Sequence, residues 1–399
     1  MIKKTGRIFN ISAITLVVSL LLTAGIYSGL ISGRRNDTAV GTGRAQEADT
    51  EADALTSATP EKLSPKEAMF YQKLENSLVQ CLLCFRKCEI APGKTGFCRV
   101  RENRDGTLYS LVYSRPSAVQ REPIEKEPMF HYMPGADILC IGTVGCNFRC
   151  LHCHNWQLSQ ASPGERGARD LTPEMTVELA KHHNLPAISF TYNDPIVCYE
   201  YLYETAKIAQ KEGIRIIWHS NGSINPEPLE KLLDYTDAVT IDLKAVSDDI
   251  LERMSGAKTE PVLRTIRRIQ TRGVWLELVN LVVTGMNDSE EHISALCRWV
   301  RENIGADVPL HFTRFFPAYK YTSVAATPVS RLENAYSIAR KEGINHVFIG
   351  NVPGHEYNST FCPGCGAKVV NRSHFQVISM NLEEGSCGSC GRTIAGIWN

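Results

Sequence analysis

TVGCNFRCLHCHN, running from Thr143 to Asn155, places three thiols, Cys146, Cys150 and Cys153, within eight residues in the spacing C-x3-C-x2-C. Three thiolates on one tight loop suit three irons of a cubane [4Fe–4S] cluster and leave the fourth iron open to a small chelating ligand. A structural zinc site takes four protein ligands, so zinc here would need His152 or His154 as the fourth. Disulfides fit poorly, because neighbouring cysteines on one loop make strained bridges.

Outward from this loop, β-rich apolar runs alternate with helical text, the pattern of parallel β/α units. Strands are expected at Ile138 to Gly142, Ala187 to Tyr192, Ile214 to Ser220, Ala238 to Leu243, Trp275 to Val283 and Val308 to Phe315, with a possible seventh at His346 to Gly350. Six units make a partial, TIM-like (β/α)6 barrel, spanning 136–355. Thr172, Asn225 and Thr327 each precede a proline suited to a first helical position, and Asp288 with Glu291 reads as a capping box. In such barrels the loops after the strands build the reactive face. Polar text gathers there: Asn193 and Asp194, then Ser220 and Asn221, then Asp242 and Lys244, which share one face of an extended strand. Each has a bland reading. Asn193-Asp194-Pro195 also starts a helix, and Lys244 also pairs with Asp242. His311-Phe312-Thr313-Arg314-Phe315 reads equally as pocket lining or as core, and 320–327 as a loop able to cover the mouth.

The central motif resembles that of the radical S-adenosylmethionine (SAM) enzymes. With CLLCFRKCEIAPGKTGFCRVRENRDG from Cys81, EPIEKEPMFHYMPG and IGTVGCNFRCLHCHNWQLSQ, the chain resembles the radical SAM enzyme of the AmmeMemoRadiSam system, a relative of the pyruvate-formate-lyase activating enzymes, over roughly Lys73 to Asn399. The resemblance implies a [4Fe–4S] cluster on Cys146, Cys150 and Cys153, SAM chelating its open iron, and an electron donor. Reductive cleavage of SAM then yields a 5′-deoxyadenosyl radical that abstracts hydrogen from a protein or small-molecule substrate. Many such enzymes carry Gly-Gly-Glu-Pro where this chain has Tyr192-Asn193-Asp194-Pro195, so Asp194 stands for the glutamate that meets the SAM amino group. Ser220 and Asn221 resemble a Thr-Asn-Gly text suited to ribose or carboxylate, Lys244 suits the SAM carboxylate, and His154 and Trp156 lie beside the cluster.

Two further cysteine groups flank the barrel. Cys81, Cys84, Cys88 and Cys98, in an N-terminal segment spanning 65–135, suffice for zinc or for a closed iron–sulfur cluster. A helix is expected at Pro65 to Val79, burying Met69, Leu74 and Leu78, and a short strand at Leu108 to Tyr113 before an irregular crossover. Cys362, Cys365, Cys387 and Cys390 form two C-x2-C knuckles, a zinc-ribbon signal over 356–399 that mononuclear iron also satisfies. If all three groups held zinc, the chain would be a non-catalytic scaffold; if the C-x2-C pairs were dithiols, a redox protein exchanging disulfides.

Basic and acidic side chains balance at 43 each, which gives no electrostatic footprint for nucleic acid. Eleven of the fourteen cysteines fall in metal-type clusters, which fits a reducing setting, and Cys140, Cys198 and Cys297 read as small core residues. After a basic N-terminus (1–7), the run from Ile8 to Ile31 is uncharged and as a helix would span roughly 36 Å, enough to cross a bilayer. The expectation is a membrane anchor or signal segment over 8–32, a disordered linker over 33–64, and a catalytic part held at the cytoplasmic side, where SAM and reductant are found.

Overall fold

The computed structural model describes residues 65–399, all within one compact unit. The expected N-terminus, membrane segment and linker (1–64) lie outside the described residues. Among the described residues no helix is long and apolar enough to cross a membrane. That finding overturns the reading of a membrane-anchored chain with a membrane partner.

The N-terminal segment has no α-helix where one is expected, only a 3-10 turn at Glu75–Ser77. Instead β1 (Lys66–Glu67), β2 (Tyr71–Lys73) and β3 (Val79–Cys81) precede β4 (Glu89–Ile90), β5 (Arg101–Arg104) and β6 (Thr107–Ser110), in two small sheets ordered β1-β6-β5 and β2-β3-β4. Phe70, Asn76 and Ser77 all have φ between 54° and 57°, which no α-helix accommodates. The Met69 N–H is drawn off to Glu200 Oε1 at 2.7 Å.

The main sheet has eight strands. They are β7 (Ala118–Pro123), β8 (Asp137–Gly142), β9 (Ala187–Phe190), β10 (Arg215–Ser220), β11 (Ala238–Asp242), β12 (Trp275–Val282), β13 (Leu310–Arg314) and β14 (Val347–Gly350). From β8 to β14 each strand pairs with the next in parallel, as the alternating pattern predicts, and the possible seventh strand is real. β7 pairs antiparallel with β8 where an irregular crossover is expected. Between the strands run α1 (Trp156–Ser159), α2 (Pro173–His182), α3 (Tyr199–Lys211), α4 (Pro226–Leu233), α5 (Asp248–Ser255), α6 (Thr259–Thr271), α7 (Glu290–Asn303) and α8 (Val329–Lys341). Thr172 caps α2 through its side chain, and Pro226 opens α4 after Asn225. Elsewhere the cap falls one residue later: Ser289 caps α7, freeing Asp288 to accept from Gly285 N–H, and Pro328 rather than Thr327 precedes α8. Cys140, Cys198 and Cys297 are buried in the core.

The chain between β7 and β8 closes one end of the barrel. Buried Glu277 of β12 accepts the N–H groups of Phe130 at 2.9 Å and His131 at 2.7 Å, and meets His311 Nε2 at 2.7 Å. His311 therefore sits deep against this closure, with Phe312 and Phe315 in the core, so core wins over pocket lining there. The C-terminal segment seats on the same closure. It contains β15 (Thr360–Phe361), β16 (Lys368–Ser373), β17 (Gln376–Met380), β18 (Leu382–Glu383) and β19 (Ser386–Cys387), and hydrogen bonds of 2.7 Å join Ile397 to His131 and Met133.

Candidate active site

The opposite end, where the parallel strands finish, holds the cysteine loop. Its backbone is fixed by the ends of β9 and β10 and by the end of α5. Asn193, after β9, accepts the Thr143 N–H at 3.1 Å and donates to the Gly145 carbonyl at 2.8 Å. Asn221, after β10, donates to Asn147 Oδ1 at 2.7 Å, and Asn147 donates to the Ser223 carbonyl at 3.1 Å. The end of α5 accepts from the Arg149 and Leu151 N–H groups through Ser255 and Met254, both at 3.0 Å. Gly145 has φ +90°, and a Cβ there would stand 2.6 Å from both the Cys98 carbonyl oxygen and Val100 Cγ1. Only glycine meets both conditions.

Cys146, Cys150 and Cys153 line an open cleft of about 540 Å³, together with Asn193, Asp194, Ser220, Asn221, Asp242 and Lys244. The structure thus brings all nine of these sequence-predicted residues to one place. Burial pushes all three thiols above the ordinary range; Lys244 pulls Cys150 and Cys153 the other way. Ser255 Oγ lies 3.2 Å from the Cys150 sulfur, and Ser159 Oγ 3.2 Å from that of Cys153. Neither serine is evident from the sequence as a partner of these sulfurs, although Ser159 follows Cys153 by only 6 residues.

The cleft walls are charged but internally matched. Asp194 is buried, and its oxygens accept Ile196 N–H at 3.0 Å, Asn221 N–H at 2.9 Å and the Ser220 hydroxyl at 3.1 Å. It caps the following turn, as the bland reading holds, and also ties β9's loop to β10's. Burial raises its pKa to about 6, against the pull of these donors. Tyr192, which stands where the motif carries glycine, takes φ +70°, a conformation natural to glycine. Asp242 accepts from Lys244 Nζ at 2.7 Å and meets His219 Nε2 at 3.2 Å. Glu127 approaches the other nitrogen of His219 at 3.7 Å. Burial opposes charge on His219, but Asp242 and Glu127 outweigh it and push its pKa up to about 10. Burial likewise opposes ionisation of Asp242, yet Lys244 and His219 hold its carboxyl below the usual range.

His154 and Trp156 turn away from the sulfurs. His154 Nε2 meets the Phe316 carbonyl at 2.9 Å, and Trp156 stacks on Tyr319 at 5.4 Å. Lys320 N–H donates to the Leu151 carbonyl at 2.9 Å, so the stretch after β13 braces the cysteine loop.

At the far end, Cys362 and Cys390 sulfurs stand 3.6 Å apart, and those of Cys365 and Cys387 3.7 Å. Four thiolates about 2.3 Å from one ion at tetrahedral corners would be about 3.8 Å apart. The cluster fits a C-terminal metal-binding module.

Comparison with known proteins agrees with this geometry. The profile of the Radical SAM superfamily matches residues 140–300. An uncharacterized protein of Methanocaldococcus jannaschii is 43% identical over 331 residues, covering 82% of this chain and 98% of its own. The pyruvate formate-lyase 1-activating enzyme of Escherichia coli (strain K12) is 25% identical over 166 residues, covering 40% of this chain and 66% of its own. A radical SAM methyltransferase from Sphaerobacter thermophilus superposes with a TM-score of 0.45 at 16% identity, covering 76% of this chain and 85% of its own. With its three-cysteine loop at the strand ends of a partial parallel barrel, the chain belongs to the radical SAM superfamily.

Proposed function

We propose that Cys146, Cys150 and Cys153 hold a [4Fe–4S] cluster and that the cleft beside them binds SAM for reductive cleavage. One observation carries this reading: the three thiols and the polar strand ends line a single cleft. The donor set fits, since three thiolates leave one iron for an amino-acid chelate. When bound, the cluster would supply one electron to SAM, giving methionine and a 5′-deoxyadenosyl radical that takes hydrogen from a substrate.

The chain's own part is placement. Lys244 presents an ammonium to the SAM carboxylate. Asp194 and Asp242 set negative charge opposite the amino group, and Ser220 and Asn221 offer short polar groups to the ribose. Asn193 holds the cysteine loop in register with these walls. The substrate we favour is a polypeptide, by likeness to the activating enzymes; the text from Cys81 to Trp156 supports placement in the AmmeMemoRadiSam system. Zinc is the metal we assign to the C-terminal module.

The test is anaerobic. The full chain, reduced with dithionite and given SAM, is expected to release 5′-deoxyadenosine, and Cys150→Ala to release none. Iron-loaded wild-type chain that leaves SAM intact would overturn the reading in favour of a metal-binding scaffold.

A further inference from the structure

The first cysteine group stands apart from the cleft and takes no part in the chemistry above. Cys81, Cys84, Cys88 and Cys98 all line one largely enclosed recess. Its remaining wall is mostly apolar, with Leu83, Ile90, Phe97, Ile196 and Val197. A closed zinc knuckle has no such space, because four sulfurs about 3.8 Å apart surround the ion directly. The chain itself supplies the contrast. The C-terminal sulfurs lie within 4.8 Å of one another, and among the described residues no other set of three or more ligand atoms closes to that scale. Four thiols set around a cavity match a cubane, in which each sulfur binds its own corner iron.

The local backbone suits thiolate ligands. Phe97 N–H points at the Cys88 sulfur at 3.5 Å. Positive charge is at hand in Arg86 and Lys87, which line the same space, while that of Arg101 is already matched by buried Glu200 at 2.9 Å. This offsets the negative charge that four thiolates bring to a buried cluster.

The space also adjoins the central loop. Asn147, between Cys146 and Phe148, forms part of its wall. Arg86 Nε donates to the Asn147 carbonyl at 2.6 Å, and its other arm to the Gly256 carbonyl at 2.8 Å. We infer that Cys81, Cys84, Cys88 and Cys98 hold a second, fully cysteine-ligated [4Fe–4S] cluster, separated from the cleft by the backbone around Asn147. With every iron bound to protein, such a cluster offers no position to substrate, and its chemistry is one-electron transfer.

The decisive sample is the full chain with Cys146→Ala, Cys150→Ala and Cys153→Ala, purified anaerobically after cluster reconstitution. It is expected to stay brown, to keep about four irons and four sulfides per chain, and to give a paramagnetic resonance signal on reduction with dithionite. Wild type then holds about eight irons, and Cys81→Ala with Cys84→Ala brings that down to about four. A colourless central variant with zinc in place of iron would overturn the inference. So would a wild-type count of about four irons with a second zinc, which decides the matter even if the variants fold poorly. Because the central variant lacks the cleft thiols, its iron count is independent of SAM cleavage.

Discussion

The Asp194 carboxylate accepts the backbone N–H of Asn221 at 2.9 Å, across two strand-end loops of the cleft. The same carboxylate accepts from Ile196 N–H and the Ser220 hydroxyl, so besides setting charge opposite the SAM amino group it positions the loop groups around it. Asp194→Asn turns an amide NH2 toward these donors. The expected outcome is a roughly tenfold weaker SAM affinity, about 1.4 kcal/mol, and a stability loss of about 1–3 kcal/mol. Equilibrium dialysis with SAM and denaturant unfolding check both. Unchanged SAM affinity in a fully iron-loaded variant would refute the positioning role.

Lys244 and Asp242 form an ion pair at 2.7 Å inside the cleft, with Lys244 only 10% exposed. Lys244→Met should strand Asp242 against His219 alone and remove the ammonium offered to SAM. We expect SAM binding to weaken by roughly 10–100-fold, about 1.4–2.8 kcal/mol. Adding Asp242→Asn removes the under-paired carboxylate and should recover part of the stability, limited by the loss of His219's partner, but not SAM affinity. Recovery of both would mean that the lysine serves only the pair.

His219 carries a folded pKa of about 10, well above its unfolded value of about 6.5. The proton held in the folded state therefore contributes its full stabilisation below about pH 6.5 and loses it as pH rises toward 10. In parallel denaturant series, wild type should lead His219→Gln by most at pH 6 and by least near pH 10. The gap should close by at most about 1.4 kcal/mol per pH unit. A constant gap would show that the imidazole is neutral in the folded chain.

Removal of metal from Cys362, Cys365, Cys387 and Cys390 should act at a distance from the cleft. That module bonds to His131 and Met133, at the closed end of the barrel. Cys365→Ser with Cys390→Ser is expected to lose one metal per chain and several degrees of melting temperature, since bound metal adds directly to folding free energy. SAM affinity should hold within about twofold, a shift under about 0.5 kcal/mol. Loss of SAM binding in the folded variant would place the module in the cleft's own machinery.

The barrel was legible because apolar runs of strand length recur between helical segments, and because cysteine spacing is a local property that folding preserves. The strand-end residues from Asn193 to Lys244 were legible by the same route, through position in a β/α unit. What escaped depends on partners far away in sequence. Ser255 meets Cys150 across 105 residues, and Glu277 reaches Phe130 across 147. Neither contact leaves a local trace. The helix expected at Pro65 to Val79 failed for a related reason: Met69, Leu74 and Leu78 lie half-buried in the connections between short strands, where Phe70, Asn76 and Ser77 are left-handed. β7 escaped because QREP is polar, as an edge strand permits.

The contact between Gly145 and Cys98 leaves no room for even one methyl group, although the two residues lie 47 positions apart. Descent with modification is then constrained at this seam. A lineage cannot exchange its first cysteine segment for a foreign one, as it might a loosely tethered cassette, without also remaking the turn that carries Cys146. The two stretches should be inherited together, and chains that have shed the first segment should be free to place a side chain where this one keeps glycine.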